Sequence, residues 1–216
     1  MAHGAAPRDQ LEPRSLRAPR KRLGLWGWSC LSLVVLLAAW FGWAWLRYPS
    51  DRTPEGAYLR VMSAVNRGRA QDFFAYLETP AQHACFTIRD YRKRSRERVL
   101  AAYPEPDRTR LAEAYAEEAS TKDGPELFAL YAKRRGWLGR LRRDMSGIAR
   151  VERRAERASV ETVRGTRYPF RIRPENGIWG LTQFTAELVS EAERAARDFE
   201  LIERAASDYE RAKTRN

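Results

Sequence analysis

Residues 151–184 read VERRAERASVETVRGTRYPFRIRPENGIWGLTQF, and this stretch decides the fold of the chain. Apolar and polar side chains alternate along it with a period of two, which is typical of strands that bury one face. The pairs Arg164-Gly165 and Asn176-Gly177 interrupt the alternation, and both favour tight turns. The stretch therefore predicts an antiparallel meander of four strands with one apolar face.

Helical signals precede the meander and follow it. Thr53 and Pro54 give a helix N-cap and then proline at the first helical position, and Thr79 and Pro80 repeat this start signal. Apolar residues at helical spacing predict helices near residues 54–67, 70–77, 79–103, 107–119, 125–135 and from 185 almost to the end. The sequence thus predicts an α+β fold.

The helix after residue 184 has an apolar seam whose members alternate at spacings of four and three residues. The seam consists of Leu188, Ala192, Ala195, Phe199, Ile202, Ala206 and Tyr209. Two interpretations stay open: the seam packs inside its own chain, or it forms a coiled coil with a second copy and so makes a homo-oligomer. Alanine at three of the seven positions favours packing inside the chain, because a coiled coil needs bulkier side chains there.

Residues 23–46 form an uncharged, largely apolar run near the amino end. As a helix this run would be roughly 36 Å long, enough to cross a hydrocarbon core of about 30 Å. Tryptophans lie near both of its ends, as in proteins whose indole rings anchor a span at the membrane interface. These expected anchors are Trp26, Trp28, Trp40, Trp43 and Trp45. The run predicts a single transmembrane helix, with a cleaved signal peptide as the alternative.

More basic residues precede this run than follow it, which predicts a cytoplasmic N-terminus. Arginine far outnumbers lysine, as is typical of GC-rich bacterial genomes, so we expect a single-pass protein of a bacterial cell envelope. The predicted organisation is a disordered basic tail over 1–22, the transmembrane helix over 23–46, a periplasmic or extracellular domain over 47–184 and an amphipathic helix over 185–216.

Two stretches resemble the NTF2-like superfamily, the relatives of SnoaL and ketosteroid isomerase, and in particular its small membrane-tethered bacterial branch. Residues 58–77, YLRVMSAVNRGRAQDFFAYL, are similar to the opening pair of helices in that family. Residues 151–184 are similar to its run of strands. The resemblance implies an open cone of sheet that is wrapped by helices and holds a pocket, and it implies little about chemistry.

A catalytic site of the isomerase type would need a carboxylate in the cone beside a tyrosine or a second acid. Four residues are candidates by type alone: Asp144, Asp90, Tyr168 and Tyr131. No motif assigns the catalytic positions of the family to them. His83 and Cys85 stand two residues apart, which directs their side chains away from each other on a helix. The sequence therefore predicts no catalytic residue, no cofactor and no metal site.

Residues 133–143, KRRGWLGRLRR, combine arginines with an apolar wedge, as an interfacial helix does. They predict contacts with a membrane surface or an anionic partner through Arg134, Arg135, Trp137, Leu138, Arg140, Leu141, Arg142 and Arg143. The alternative is that Trp137, Leu138 and Leu141 fill the domain core while the arginines are solvated. Nucleic acid ranks behind both partners, because aromatic residues are not interleaved with the arginines.

Together these features predict a membrane-anchored, extracytoplasmic binding or scaffolding module without catalytic activity. Its expected partners are the lipid bilayer and an anionic envelope component or another protein, in line with the net charge of +12. The alternative is a small-molecule enzyme or carrier that uses the cone pocket. The content of the pocket distinguishes the two, since Tyr168, Phe170 and Trp179 would fill it in a binding module.

Overall fold

The computed structural model describes residues 33–40, 42 and 49–215, and the chain divides into two compact units, Met1–Tyr48 and Pro49–Asn216. In the first unit, residues 33–40 and 42 are helical, and the side chain of Trp40 is exposed. The C-terminal helix belongs to the second unit, together with all the helices and strands that lie between residue 49 and its own start.

The structure contradicts the prediction of a transmembrane helix over 23–46. Among the residues that the structure describes, no helix is both long enough and apolar enough to cross a membrane. The predicted tail over 1–22 and the expected anchors Trp26, Trp28, Trp43 and Trp45 lie outside the described residues.

The second unit contains one short 3-10 helix and several α-helices that begin where the sequence places their start signals. The helices are α1 (Pro54–Asn66), the 3-10 helix (Ala70–Tyr76), α2 (Thr79–Ala102), α3 (Asp107–Ala119), α4 (Gly124–Arg134), α5 (Trp137–Asp144) and α6 (Thr185–Arg215). Thr53 caps α1, because its hydroxyl accepts a hydrogen bond of 3.2 Å from the Gly56 amide. Asp123 caps α4 in the same way, at 2.9 Å from the Glu126 amide.

Four antiparallel strands form the predicted meander in the order of the chain. They are β1 (Ile148–Arg154), β2 (Arg157–Thr162), β3 (Arg167–Ile172) and β4 (Trp179–Leu181). Alternate residues point to opposite faces, so the register divides the sheet into an apolar inner face and a polar outer face. The α+β class and the antiparallel meander therefore agree with the pattern of residues 151–184.

The inner face of the sheet packs on α1 and the 3-10 helix and makes the main core. Tyr168, Phe170 and Trp179 are at most 1% exposed, and Tyr58 of α1 lies against Tyr168 with ring centroids 5.6 Å apart. Trp179 also donates its indole N–H to the Arg52 carbonyl at 3.1 Å. These aromatic side chains fill the space between the meander and the first helices.

A helical arm extends from this core and is formed by α2, α3 and α6. It has a small apolar cluster of its own, consisting of Val99, Tyr103, Ala112, Ile202 and Ala206. The aliphatic members of the α6 seam are buried here and in the main core, and its less buried aromatic members Phe199 and Tyr209 contact Tyr91 and Tyr103 of the same chain. The seam therefore packs inside the chain, as the first of the two interpretations holds.

Buried charges connect the arm to α4. The Glu118 carboxylate accepts hydrogen bonds from Arg92 at 3.0 Å, from the Tyr131 hydroxyl at 3.1 Å and from Arg134 at 2.6 Å. Arg92 also donates to Asp198 of α6 at 2.6 Å. Arg92 and Glu118 are only 7% and 9% exposed, so each depends on the other for its charge balance. We call these five residues the junction network.

Candidate ligand groove

The four candidates for an isomerase-type site do not meet in one place. Tyr168 lies in the main core beside Tyr58, where burial raises its pKa, and Tyr131 donates to Glu118 in the junction network. Asp90 pairs with its neighbour Arg89 at 2.6 Å, and Asp144 is exposed at the end of α5. No described hydrogen bond joins any of the four to another.

The segment that predicts a membrane-surface contact, residues 133–143, does not form an apolar wedge. Trp137 and Leu141 are 1% and 3% exposed, and Trp137 stacks on Phe184 with ring centroids 4.5 Å apart. Leu138 is half-buried against the same core. The three apolar side chains therefore pack against the core, as in the alternative interpretation, and contact of this segment with a membrane surface or an anionic partner stays a prediction.

The arginines of that segment divide into paired and exposed side chains. Arg134 pairs with Glu117 and Glu118, and Arg135 pairs with Glu187 and Glu191 of α6. Arg142 donates to the Val65 carbonyl at 3.2 Å. Arg140 and Arg143 are exposed. Most of these charges thus stabilise helix contacts inside the domain.

Cys85 and His83 do not form a pair either. Cys85 is a free, buried thiol, and burial raises its pKa to about 12, whereas His83 is exposed. Within residues 33–40, 42 and 49–215, no group of three His, Cys, Asp or Glu side chains is placed to hold a metal ion.

A row of arginines crosses the outer face of the sheet. Arg154 of β1 is the register partner of Arg157 of β2, and Arg157 is in turn the partner of Arg171 of β3. Opposite residues of antiparallel strands have Cα atoms roughly 5 Å apart and side chains on the same face. Three like charges therefore stand side by side on adjacent strands, an arrangement that destabilises a sheet unless something neutralises it.

The other charged residues of this outer face are largely matched. Arg150 pairs with Glu152 at 3.3 Å, and Arg167 pairs with Glu161 at 3.2 Å. Arg154 and Arg157 have no ion-pair partner in the part of the chain that the structure describes. The positive charge of the face is thus concentrated on the row.

A concave space opens where this row meets the start of α6. Its larger part has a volume of about 530 Å³, and a smaller part of about 160 Å³ adjoins it at Arg157 and Ala158. We call the space the arginine groove; its polar lining is Glu78, Glu152, Arg154, Arg157, Ser159, Arg171, Thr182 and Thr185. Pro169 and Val189 add apolar surface.

Glu78 enters the groove because the chain before α2 runs beside β4. The Glu78 amide donates to the Leu181 carbonyl at 3.2 Å, and Gly180 leaves room for this approach. A Cβ atom at residue 180 would lie 2.6 Å from the Glu78 Cα atom, closer than side chains tolerate. The glycine of the Trp-Gly-Leu strand therefore lets a carboxylate reach the arginine row.

The Glu78 side chain is only 7% exposed, yet its environment supplies little hydrogen bonding. No donor in the described chain reaches its Oε2 atom, and the nearest cation, Arg171 Nη1, lies 3.7 Å away. The Thr185 hydroxyl is also buried without a partner among the described residues. The groove thus combines an exposed cationic side with a buried polar wall that lacks partners.

Sequence reasoning did not select the groove residues, although one signal for them was present. Arg154 and Arg157 flank the two-residue turn Ala155-Glu156, so recognising that turn in the sequence would have shown that the two arginines are register partners. The contribution of Glu78 could not be found in this way, because it comes from a segment far from the meander in sequence.

No protein-family model, curated protein or solved structure matches the chain. The NTF2-like resemblance therefore stays a prediction.

Proposed function

We propose that the domain is a non-catalytic binding module whose ligand is a small molecule with an acidic group, held in the arginine groove. The observation that carries this proposal is the cross-strand row of Arg154, Arg157 and Arg171. An anionic group placed over the row offsets the repulsion between neighbouring guanidinium groups and accepts charge-assisted hydrogen bonds from them.

The shape of the groove fits a small ligand. Its larger part, about 530 Å³, lies within the usual range of small-molecule sites. Apolar contacts from Pro169 and Val189 lie beside a few polar groups, which is the common composition of such sites. A polymer needs no such concavity, so the groove favours a small acid over an extended polyanion.

The location of the aromatic core favours binding over catalysis. Tyr168, Phe170 and Trp179 fill the space between the meander and the first helices, which the enzyme alternative would use as a cone pocket. The titratable groups that line the arginine groove are arginines and the carboxylates Glu78 and Glu152, with no histidine, cysteine or lysine among the described lining residues. Such a set of charges is suited to charge recognition.

The test is a titration of the full chain with inorganic phosphate, with the melting temperature as the readout and sodium chloride of equal ionic strength as the salt control. The matched variants are Arg157→Gln, in the groove, and Arg94→Gln, an exposed position on α2 outside the groove lining. Each removes one positive charge.

Phosphate should raise the melting temperature of the wild type and of Arg94→Gln in a saturable way, because a ligand that binds only the folded state stabilises it. Arg157→Gln should lose the effect. Equal phosphate effects on both variants, or effects that sodium chloride reproduces, would overturn the proposed function.

A further inference from the structure

We propose that the ligand of the arginine groove is a zwitterion, which places its acidic group on the arginine row and a protonated amine on Glu78. This inference rests on the proposed function and adds the second half of the ligand. Its basis is a pair of buried polar atoms without a hydrogen-bond partner among the described residues, Oε2 of Glu78 and the Thr185 hydroxyl, in the wall of a groove in which arginines outnumber carboxylates.

Glu78 is the stronger of the two indications. The burial of its carboxylate is poorly compensated, since the group has lost most of its hydration and gains in return an ion pair with Arg171 in which no hydrogen bond reaches Oε2. Arg171 does not supply the missing bond, because 3.7 Å between Nη1 and Oε2 exceeds hydrogen-bond length. The cost disappears when a donor that carries a positive charge occupies the groove beside Glu78.

Thr185 indicates which type of hydrogen-bond donor the ligand carries. Its hydroxyl lines the larger part of the groove together with Glu78, and the structure describes no partner for it. An ammonium group has three N–H donors, so one amine can serve both the carboxylate and the hydroxyl. A neutral ligand hydroxyl has a single donor and forms the weaker, uncharged type of bond.

The distribution of charge separates the two ends of the ligand. Arg154 and Arg157 belong to strands β1 and β2, whereas Glu78 and Thr185 approach from the other side of β3. The Arg171 side chain lies between them and pairs loosely with Glu78 at 3.7 Å, and it is 46% exposed, so its guanidinium group also reaches the solvent side where the acidic end would lie. A short molecule with an amine at one end and an acid at the other matches this order.

The experiment compares three probes on the full chain by isothermal titration calorimetry. The probes are γ-aminobutyrate, butyrate, which lacks the amine, and butylamine, which lacks the acid. We expect γ-aminobutyrate to bind about tenfold more tightly than butyrate, as one added charge-assisted hydrogen bond would give. Butylamine should bind most weakly, because it meets the arginine row with no acidic group.

The variant Glu78→Gln separates the two halves of the site. It should bind butyrate as the wild type does and should bind γ-aminobutyrate no more tightly than butyrate. Its fold should persist, because the change removes a buried charge that lacks hydrogen bonds. Thr185→Val provides a second variant, in which the preference for γ-aminobutyrate should fall without being lost.

The possible failures are distinguishable. Equal binding of γ-aminobutyrate and butyrate to the wild type overturns the zwitterion and leaves the proposed function intact. The same conclusion follows if Glu78→Gln keeps the full preference for the amine. If neither acid binds, while phosphate also fails in its own titration, the zwitterion and the proposed function are both rejected.

Discussion

Replacing Arg92 by methionine tests whether the junction network holds the helical arm on the domain. Arg92 makes two charge-assisted hydrogen bonds, to Glu118 at 3.0 Å and to Asp198 at 2.6 Å, and it is 7% exposed. Methionine keeps most of the apolar volume and removes the charge. Glu118 then retains only Tyr131 and Arg134 as donors.

The expected cost follows from these partners. Removing one member of a buried ion pair costs about 3–5 kcal/mol. The lower end applies here, because Arg134 still faces Glu118 and because Asp198, with a side chain 34% exposed, can be hydrated. We therefore expect Arg92→Met to lower the free energy of unfolding by about 3 kcal/mol.

The assay is urea denaturation of the full chain followed by far-ultraviolet circular dichroism, in a double-mutant cycle with Glu118→Met. Because the two residues contact each other, the losses of unfolding free energy in the two single variants should add up to about 2 kcal/mol more than the loss in the double variant. The control is Arg211→Met, whose partner Asp208 is equally exposed at the surface; it should change stability by less than about 0.5 kcal/mol. A cost below about 1 kcal/mol for Arg92→Met, or strictly additive costs, would refute the reasoning.

Three further predictions concern the core, a turn and the buried thiol. Trp179→Ala should cost about 3–5 kcal/mol in thermal or urea unfolding, because the side chain is fully buried; a normal melting temperature would show that it is not core. Ala155→Gly should stabilise the β1–β2 turn by up to about 1 kcal/mol, since φ is +50° there, and a loss of stability would contradict this. Cys85, with its pKa raised to about 12, should resist alkylation by iodoacetamide at pH 8 until the chain unfolds. The free energy of unfolding should fall as the pH rises above the ordinary pKa of a thiol, because there the thiol ionises in the unfolded chain and stays neutral in the folded one.

The sequence predicted the secondary structure of residues 54–215 well because the signals there are local. The start signals at Thr53 and Thr79 and the alternation in residues 151–184 each depend on neighbours within a few positions. It could not distinguish two environments that select the same apolar pattern. Trp137 and Leu141 suit both a bilayer surface and a protein core, and only the packing against Phe184 decides between them.

The groove depends on information that no local pattern contains. Arg154, Arg157 and Arg171 become neighbours only through the register of three strands, and Glu78 joins them through the parallel contact between Leu77 and Leu181. The prediction of a transmembrane helix over 23–46 rested on hydropathy, which measures only how well side chains tolerate lipid. Among the residues that the structure describes, no helix is long enough and apolar enough to cross a membrane.

The missing side chain at residue 180 has a consequence for recognising this architecture elsewhere. Because Gly180 admits the backbone of Glu78, a side chain at residue 180 would displace the segment that carries this carboxylate, so the glycine in the last strand and the acid just before a Thr-Pro helix start serve the same wall of the groove. We expect a distant chain that keeps both, along with arginines on either side of the turn in its first hairpin, to form the same arginine groove even where the overall sequence identity is low.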